Sequence, residues 1–459
     1  MTKGSGGDQT HNRREQELRV EILDLVRQYV AAVHRPTLSK PAVPGASRMS
    51  YGGRIFDENE VLNLVESSLD FWLTYGRFCR EFETRLAKTL AVSKALMVNS
   101  GSSANLLAFM ALTSPDLGNK RIRRGDEVVT VAAGFPTTVT PVVQFGAVPV
   151  FVDIEPRYYN IDVRMLEKAV TSKTRAVFLA HTMGNPFDIQ KVLEVCRKYD
   201  LWLIEDNCDA LGSTYQDKFT GTWGDVGTSS FYPPHHITTG EGGAVYANDK
   251  QLIKILLSMR DWGRDCWCES GQDNTCGRRF SQQFGRLPFG YDHKYVYSQL
   301  GYNLKPTEMQ AAVGCAQLGK LFAFKDARKA NFDVLHKALK DCEATLQLPA
   351  KTPGSDPNWF GFLITVNEDA PFGRNDLVAW LESRNVQTRN LFAGDLTRHP
   401  CFSHLREGTD YRIVGQLAHT LRVMRQSFWI GLFPGLGEPE MKYMAVAIRE
   451  FIGRKTKRG

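Results

Sequence analysis

Short apolar runs rich in Val, Ile and Phe recur through the middle of the chain, at 128–131, 148–152, 176–180, 201–205, 226–231 and 244–246. Helical stretches such as 163–169 and 189–199 lie between several of them. Alternating strands and helices predict right-handed crossovers and a mainly parallel sheet, which is an α/β fold. Ahead of this block, Leu18, Val20, Ile22, Leu23, Leu25, Val26 and Val30 stand at mixed helical spacing between charges, predicting an amphipathic helix over 15–34 that packs on the body. A Pro-containing linker (35–50) follows, and Val61, Leu62, Leu64, Val65, Phe82 and Leu86 fit two further helices within 57–90. From about residue 322, a helix and strands such as 359–366 begin a smaller C-terminal domain.

Composition narrows the class. The 459 residues suffice for one large and one small domain, and 23% charged residues with ordinary apolar content describe a globular chain. Net charge is +7, spread over 57 basic and 50 acidic residues, with a dense block only at Lys455-Thr456-Lys457-Arg458, which argues against nucleic-acid binding. The first fourteen residues are polar and Gly-rich without an apolar signal core, so a cytoplasmic protein is expected. The uncharged run 128–152 is long enough for a membrane span but carries Gly134, Pro136, Pro141, Gly146 and Pro149, and reads as strand, turn, short helix, strand. Nine cysteines would form a disulfide framework only in an oxidising compartment.

Open α/β sheets bind ligands at strand ends, and the polar motifs fall there. After the strand 95–98, the small residues Asn99-Ser100-Gly101-Ser102-Ser103-Ala104-Asn105 open a helix, offering backbone N–H groups to a phosphate or simply capping the helix through Ser100 or Ser102. Gly134-Phe135-Pro136-Thr137 follows another strand, and Phe135 is either a ring stacked on a ligand or a core residue. Glu205-Asp206-Asn207-Cys208-Asp209 leaves a third strand with three carboxylates. The stretch 230–243 reads Ser-Phe-Tyr-Pro-Pro-His-His-Ile-Thr-Thr-Gly-Glu-Gly-Gly.

That last stretch resembles the cofactor loop of the sugar aminotransferases among fold-type I pyridoxal-phosphate (PLP) enzymes, in which a lysine precedes Gly-Glu-Gly-Gly. Here the lysine position holds His235, and no lysine occurs from Ser230 to Asp249. Imidazole forms no imine with PLP but moves protons near neutral pH. The substitution resembles the 3-dehydrases of 3,6-dideoxyhexose biosynthesis, which hold pyridoxamine phosphate (PMP) non-covalently and remove the C3 hydroxyl of a nucleotide-linked 4-keto-6-deoxy sugar. The likeness runs from roughly Tyr51 to Leu432. It implies an aspartate-aminotransferase-like (fold type I) architecture: a mainly parallel seven-stranded sheet in a large domain (51–321), a smaller α+β domain (322–459), and a flexible N-terminus, helix and linker (1–50). It further implies that Gly101, Ser102, Ser103 and Ser230 grip the cofactor phosphate, that Phe135 stacks on the pyridine, and that Asp206 pairs with its nitrogen, Glu205 and Asp209 being structural alternatives. His235 becomes the base and His236 a supporting neighbour. Gly301-Tyr302-Asn303-Leu304-Lys305 resembles a loop that reaches across a homodimer to the phosphate, and 70–76 and 388–394 resemble substrate-facing stretches.

Cys208, Cys266, Cys268 and Cys276 are spaced Cys-X57-Cys-X1-Cys-X7-Cys. General ligand rules leave a 2Fe-2S cluster and a four-cysteine zinc site both open. The iron-sulfur 3-dehydrases have this same spacing, so the resemblance implies a 2Fe-2S cluster that passes single electrons from a separate NADH-dependent iron-sulfur flavoprotein reductase. The chain has no Gly-X-Gly-X-X-Gly turn after a strand for a nicotinamide of its own. The expected substrate is CDP-4-dehydro-6-deoxy-D-glucose. The alternatives are a TDP-4-keto-2,6-dideoxyhexose dehydratase, an iron-free dehydratase that regains its amine from glutamate, and a PLP-dependent aminotransferase.

Overall fold

The structure, a computed structural model, describes residues 6–38, 40, 42–43, 45–268 and 271–456. The first five residues and the last two of the basic C-terminal block, Lys457 and Arg458, lie outside the described residues. The large sheet contains β1 (Lys94–Val98), β2 (Glu127–Val131), β3 (Val148–Val152), β4 (Thr174–Ala180), β5 (Trp202–Asp206), β6 (Val226–Ser230), β7 (Gly243–Ala247) and β8 (Arg412–Ile413). Their order is β1-β7-β6-β5-β4-β2-β3-β8. From β6 to β8 every pairing is parallel, while β7 runs antiparallel to both β1 and β6. The loop from β6 to β7 has no crossover helix, and a parallel return would need one, so β7 folds back against its predecessor. The short β8 is an eighth strand beyond the seven expected, contributed late in the chain to the edge of the sheet.

With both faces of the sheet covered, β2, β5, β6 and β7 are buried from end to end. The uncharged run 128–152 becomes β2, the helix Pro136–Phe145 and β3. No helix among the described residues is long and apolar enough to cross a membrane. Helices Arg77–Leu90 and Lys250–Arg260 are tied to the sheet by a buried ion pair, in which Arg260 Nη1 lies 2.7 Å from Glu83 Oε1. Glu83 also accepts from Tyr75 Oη at 2.8 Å and from the N–H of Met97 at 2.9 Å. A charge buried so completely persists only with partners of this kind.

The second, antiparallel sheet places Gly361–Val366 between Leu346–Gln347 and Ser427–Gly431, with Thr388–Arg389 on the far side of the latter. Helices Leu321–Leu339, Arg374–Ser383 and Glu438–Thr456 complete its core, in which Phe332 and Trp359 stack at 4.2 Å. The segments are interlocked: β8 joins the large sheet, Ser355–Asp356 pairs with Thr214–Tyr215, and Met49 bridges to Val386. The N-terminal helix begins at Gly6, ahead of the expected start, and passes through a wide turn at Val30–His34 to end at Leu38. Arg19 pairs with Asp70 at 2.9 Å, yet Leu18, Val20 and Leu25 stay exposed.

Candidate active site

A cleft of about 550 Å³ opens where the carboxyl ends of β4, β5 and β6 meet the loops around Tyr51, Phe360, Arg389 and Trp429. Gly101, Ser102, Phe135, Asp206, Ser230 and His235 all line it. A larger, more open hollow of about 720 Å³ lies between Arg157, Phe332 and Trp359 and holds none of these residues.

Gly101 begins the helix Gly101–Ala111, with Ser100 as its cap. The N–H of Ser103 donates to Ser100 Oγ at 3.0 Å, leaving the first two N–H groups of the helix for an anion. A Cβ on Gly101 would stand 2.8 Å from Ser230 Oγ and 3.0 Å from Ser230 Cα, so only glycine lets the helix end and the strand end close into one cradle. Ser102 Oγ donates to Thr137 Oγ1 at 3.3 Å on the cleft rim. Ser103 does not line the cleft: its hydroxyl meets that of Ser100, so it is a capping residue here.

Asp206 is buried at the cleft floor and held by three donors. Asn105 Nδ2 and Thr138 Oγ1 both reach Oδ2 at 2.7 Å, and the N–H of Cys208 reaches Oδ1 at 3.1 Å. Its strand neighbour Glu205 faces the opposite way, as alternation requires, and accepts from His181 Nε2 and from the N–H groups of Gly221, Trp223 and Gly224. Glu205 therefore serves the 221–224 loop. Phe135 is half exposed, and its ring meets the edge of Phe392 at 5.9 Å. It is a wall of the cleft and not a core residue.

His235 sits on the corner made when its N–H donates to the Tyr232 carbonyl at 2.9 Å. Its ring lies 5.1 Å from that of Phe360, and its buried Nδ1, without a hydrogen-bond partner, faces Asp209 Oδ1 at 3.6 Å. Burial pushes its pKa down to about 4, with Arg328 adding to the effect and Asp206 opposing it, so the imidazole is neutral at physiological pH. Burial and the neighbouring Asp206 raise the carboxyl of Asp209 well above the usual range. His236 turns away and donates through Nε2 to the Asn358 carbonyl at 2.8 Å. No lysine lines the cleft; its cation is Arg389, which lies 4.2 Å over the Tyr51 ring.

The four cysteines do not form one ligand set in this structure. Cys266, Cys268 and Cys276 line a small pocket with Asp273, Arg279 and His293, whereas Cys208 lines the cleft. Among the described residues no group of three or more His, Cys, Asp or Glu side chains is placed to hold a metal ion. Cys208 lies two residues after β5 with its backbone N–H on Asp206 Oδ1, and burial beside Asp206 and Asp209 raises its thiol pKa well above the ordinary value. The other three belong to a loop that folds on its own contacts: His293 bridges Asp265 Oδ2 at 2.7 Å and Cys276 Sγ at 3.8 Å. The expected fourth ligand is thus held at the cleft floor. Asn303 is exposed and outside its own chain's cleft.

Sequence patterns missed the roles of Asn105 and Thr138 and Asp209's contact with His235, whereas Arg389 falls in the stretch 388–394 that resembles a substrate-facing segment. Asn105 and Thr138 stand inside helices, and no spacing shows that both turn to Asp206.

Sheet order, the cradle at the first helix and a carboxylate at the end of β5 define a fold-type I, aminotransferase-like enzyme architecture. The chain belongs to the DegT/DnrJ/EryC1/StrS aminotransferase family, whose sequence profile matches residues 55–449. It is 52% identical, over 95% of its length and 98% of the relative's, to the lipopolysaccharide biosynthesis protein RfbH of Salmonella typhimurium. It is 49% identical, over 95% and 92%, to the dTDP-4-dehydro-2,6-dideoxy-D-glucose 3-dehydratase of Saccharopolyspora spinosa. Among solved structures, the E. coli GDP-4-keto-6-deoxy-D-mannose-3-dehydratase with bound hydrated PLP superposes with a TM-score of 0.78 at 28% identity, covering 87% of this chain and 99% of that one.

Proposed function

We propose that this chain is a nucleotide-sugar 3-dehydratase that uses PMP to remove the C3 hydroxyl of a 4-keto-6-deoxy sugar. The observation that carries the reading is His235, a neutral base at the lysine position of a cleft that has no lysine. The relatives' printed activities support the same reaction class.

The cleft fits PMP: a cradle that a Cβ would fill, a carboxylate held by three donors, and an exposed ring on one wall. When bound, PMP supplies an amine that condenses with a ketone and a ring that holds the electrons of a broken C–H bond. Gly101, Ser102 and Ser230 would bind the phosphate, Phe135 would cover the ring, and Asp206 would pair with the pyridine nitrogen, kept in place by Asn105 and Thr138. His235 would take up the proton leaving C4′, the carbon that carries the amine, and burial keeps its ring uncharged for that task. The closed floor and the aromatic walls exclude water from the reacting atoms.

The finer points of the reading have separate supports. CDP as the nucleotide rests on the family resemblance. The 2Fe-2S cluster and the NADH-dependent reductase rest on the family resemblance that the cysteine spacing carries, whereas Cys208 stands apart from the other three cysteines in this structure. That separation favours a second reading, an iron-free dehydratase whose amine returns from glutamate. In a homodimer, Asn303 would reach the cofactor phosphate of a second copy, which suits its exposure outside its own cleft. The test is incubation of the anaerobically purified protein with PMP, CDP-4-dehydro-6-deoxy-D-glucose and either a reductase with NADH or glutamate, with mass spectrometry of the sugar. A 3-deoxy product with the reductase supports the redox reading, and one with glutamate alone supports the second. A 4-amino sugar would make the chain an aminotransferase.

A further inference from the structure

Arg328 is a fully buried side chain on the helix Leu321–Leu339 that forms no ion pair within 4 Å among the described residues. Its guanidinium divides between two backbone corners. Nη2 donates to the carbonyls of Pro234 at 3.3 Å and His235 at 3.2 Å, and Nη1 to those of Trp359 at 3.2 Å and Phe360 at 3.0 Å. Nε is buried without a partner.

The two corners are the ones that confront each other in the cleft. Pro234 and His235 carry the base, while Phe360 carries the ring packed 5.1 Å from the imidazole. Phe360 is itself fixed, its N–H donating to the Met183 carbonyl at 2.9 Å and its ring meeting Trp429 at 5.3 Å. On the other side of the corner, a Cβ on Gly52 would stand 3.0 Å from Pro234 Cβ, so the loop before the large domain closes against it. A planar group with forked donors holds all four carbonyls in fixed relation, whereas an ammonium with three donors reaches only some of them.

We propose that Arg328 is a positioning residue that clamps the His235 corner to the Phe360 corner and so sets where the imidazole stands in the cleft. The idea rests on the reading of His235 as the group that moves the C4′ proton, but its geometry also applies to any side chain at position 235. That permits a test independent of the native reaction. In the His235→Lys background, PLP attachment is read by absorbance and borohydride capture, with and without Arg328→Met or Arg328→Lys. In the native background the same two variants are compared for PMP affinity and for kcat and KM of C4′ hydrogen release.

Arg328→Met is expected to lower PLP attachment in the His235→Lys background and to lower kcat on the order of 10²-fold, the loss that a displacement of about 1 Å produces. PMP affinity, set by the phosphate cradle and by Asp206, stays within about twofold, and Arg328→Lys recovers part of both losses because it restores donors to some of the same carbonyls. Unchanged attachment and kcat in folded Arg328→Met, or an Arg328→Lys variant no better than Arg328→Met, overturns the proposal. So does failure of both variants to fold, which makes the arginine a support of the fold alone. If the wild type releases no C4′ hydrogen but attachment in the His235→Lys background still depends on Arg328, the clamp stands and the dehydratase reading falls.

Discussion

Gly101→Ala should cripple cofactor binding without unfolding the protein. The added Cβ would lie 2.8 Å from Ser230 Oγ, 3.0 Å from Ser230 Cα and closer still to Ser230 Cβ, where carbon atoms normally keep about 3.5–4.0 Å. Neither side can retreat freely: Ser230 is paired across to Gly243, and a Cβ at Gly243 would stand 2.7 Å from the Gly101 nitrogen, so the helix end is wedged between two strands. Overpacking of this kind costs about 1–3 kcal/mol, and because it falls on the phosphate cradle, most of it should be lost from binding. At about 1.4 kcal/mol per decade, PMP affinity drops roughly 5- to 140-fold. Titration calorimetry of PMP with wild type, Gly101→Ala, Ser230→Gly and the double variant measures this, with urea unfolding to show that each protein is folded. Ser230→Gly removes the obstructing atoms, so the double variant should bind better than the sum of the single losses predicts, with a coupling energy of about 1–3 kcal/mol. Additive losses, or wild-type affinity in Gly101→Ala, would refute the cradle.

Other expectations are simpler to state. Borohydride with PLP should leave no pyridoxyl group in the wild-type cleft and one in His235→Lys, detected by peptide mass spectrometry. The His235 imidazole titrates near 4 folded and near 6.5 unfolded, so stability should fall as pH drops between these values, because only the unfolded chain then binds the proton, and level off below; His235→Asn should flatten that slope in pH-dependent urea melts. Glu83→Gln leaves buried Arg260 with Asp261, 3.0 Å from its Nε, as its remaining carboxylate partner and should lower unfolding free energy by about 1–3 kcal/mol in denaturant titrations. Iron analysis of protein purified without oxygen separates the two readings, about two iron atoms per chain supporting the cluster and none supporting the iron-free dehydratase. Iron analysis of Cys208→Ser then decides whether the cleft cysteine joins the other three, since retention of iron confines the site to the separate pocket.

The strands were readable because each is a bounded run of β-branched and aromatic residues, and Val163–Ala169 begins and ends where the pattern predicts. What escaped was relational. The reversed direction of β7 follows from a connection without a helix, which a list of runs does not reveal, and β8 comes from a late two-residue segment too short for any periodicity. In the cleft, motifs at strand ends found Asp206 and His235 because local backbone geometry places them there. Asn105, Thr138 and Arg328 reach the same centre from helix interiors 68 to 101 residues away from Asp206, or 93 from His235, and helical spacing alone gives no sign of it. Cys208 is the reverse case: the resemblance in spacing groups it with Cys266, Cys268 and Cys276, while the structure places it in the cleft and the other three in a separate pocket.

The central claim, that His235 replaces a covalent lysine with a proton-moving base acting on PMP, is tested most directly by the fate of label at C4′ of the cofactor. PMP deuterated at that carbon is mixed with enzyme and nucleotide-linked 4-keto-6-deoxy sugar, and loss of deuterium to solvent is followed by mass spectrometry. Stereospecific loss that requires the sugar and falls on the order of 10²–10⁴-fold in His235→Asn is the predicted result. Washout at an equal rate in His235→Asn, or none in the wild type with PMP and sugar both bound, would contradict it.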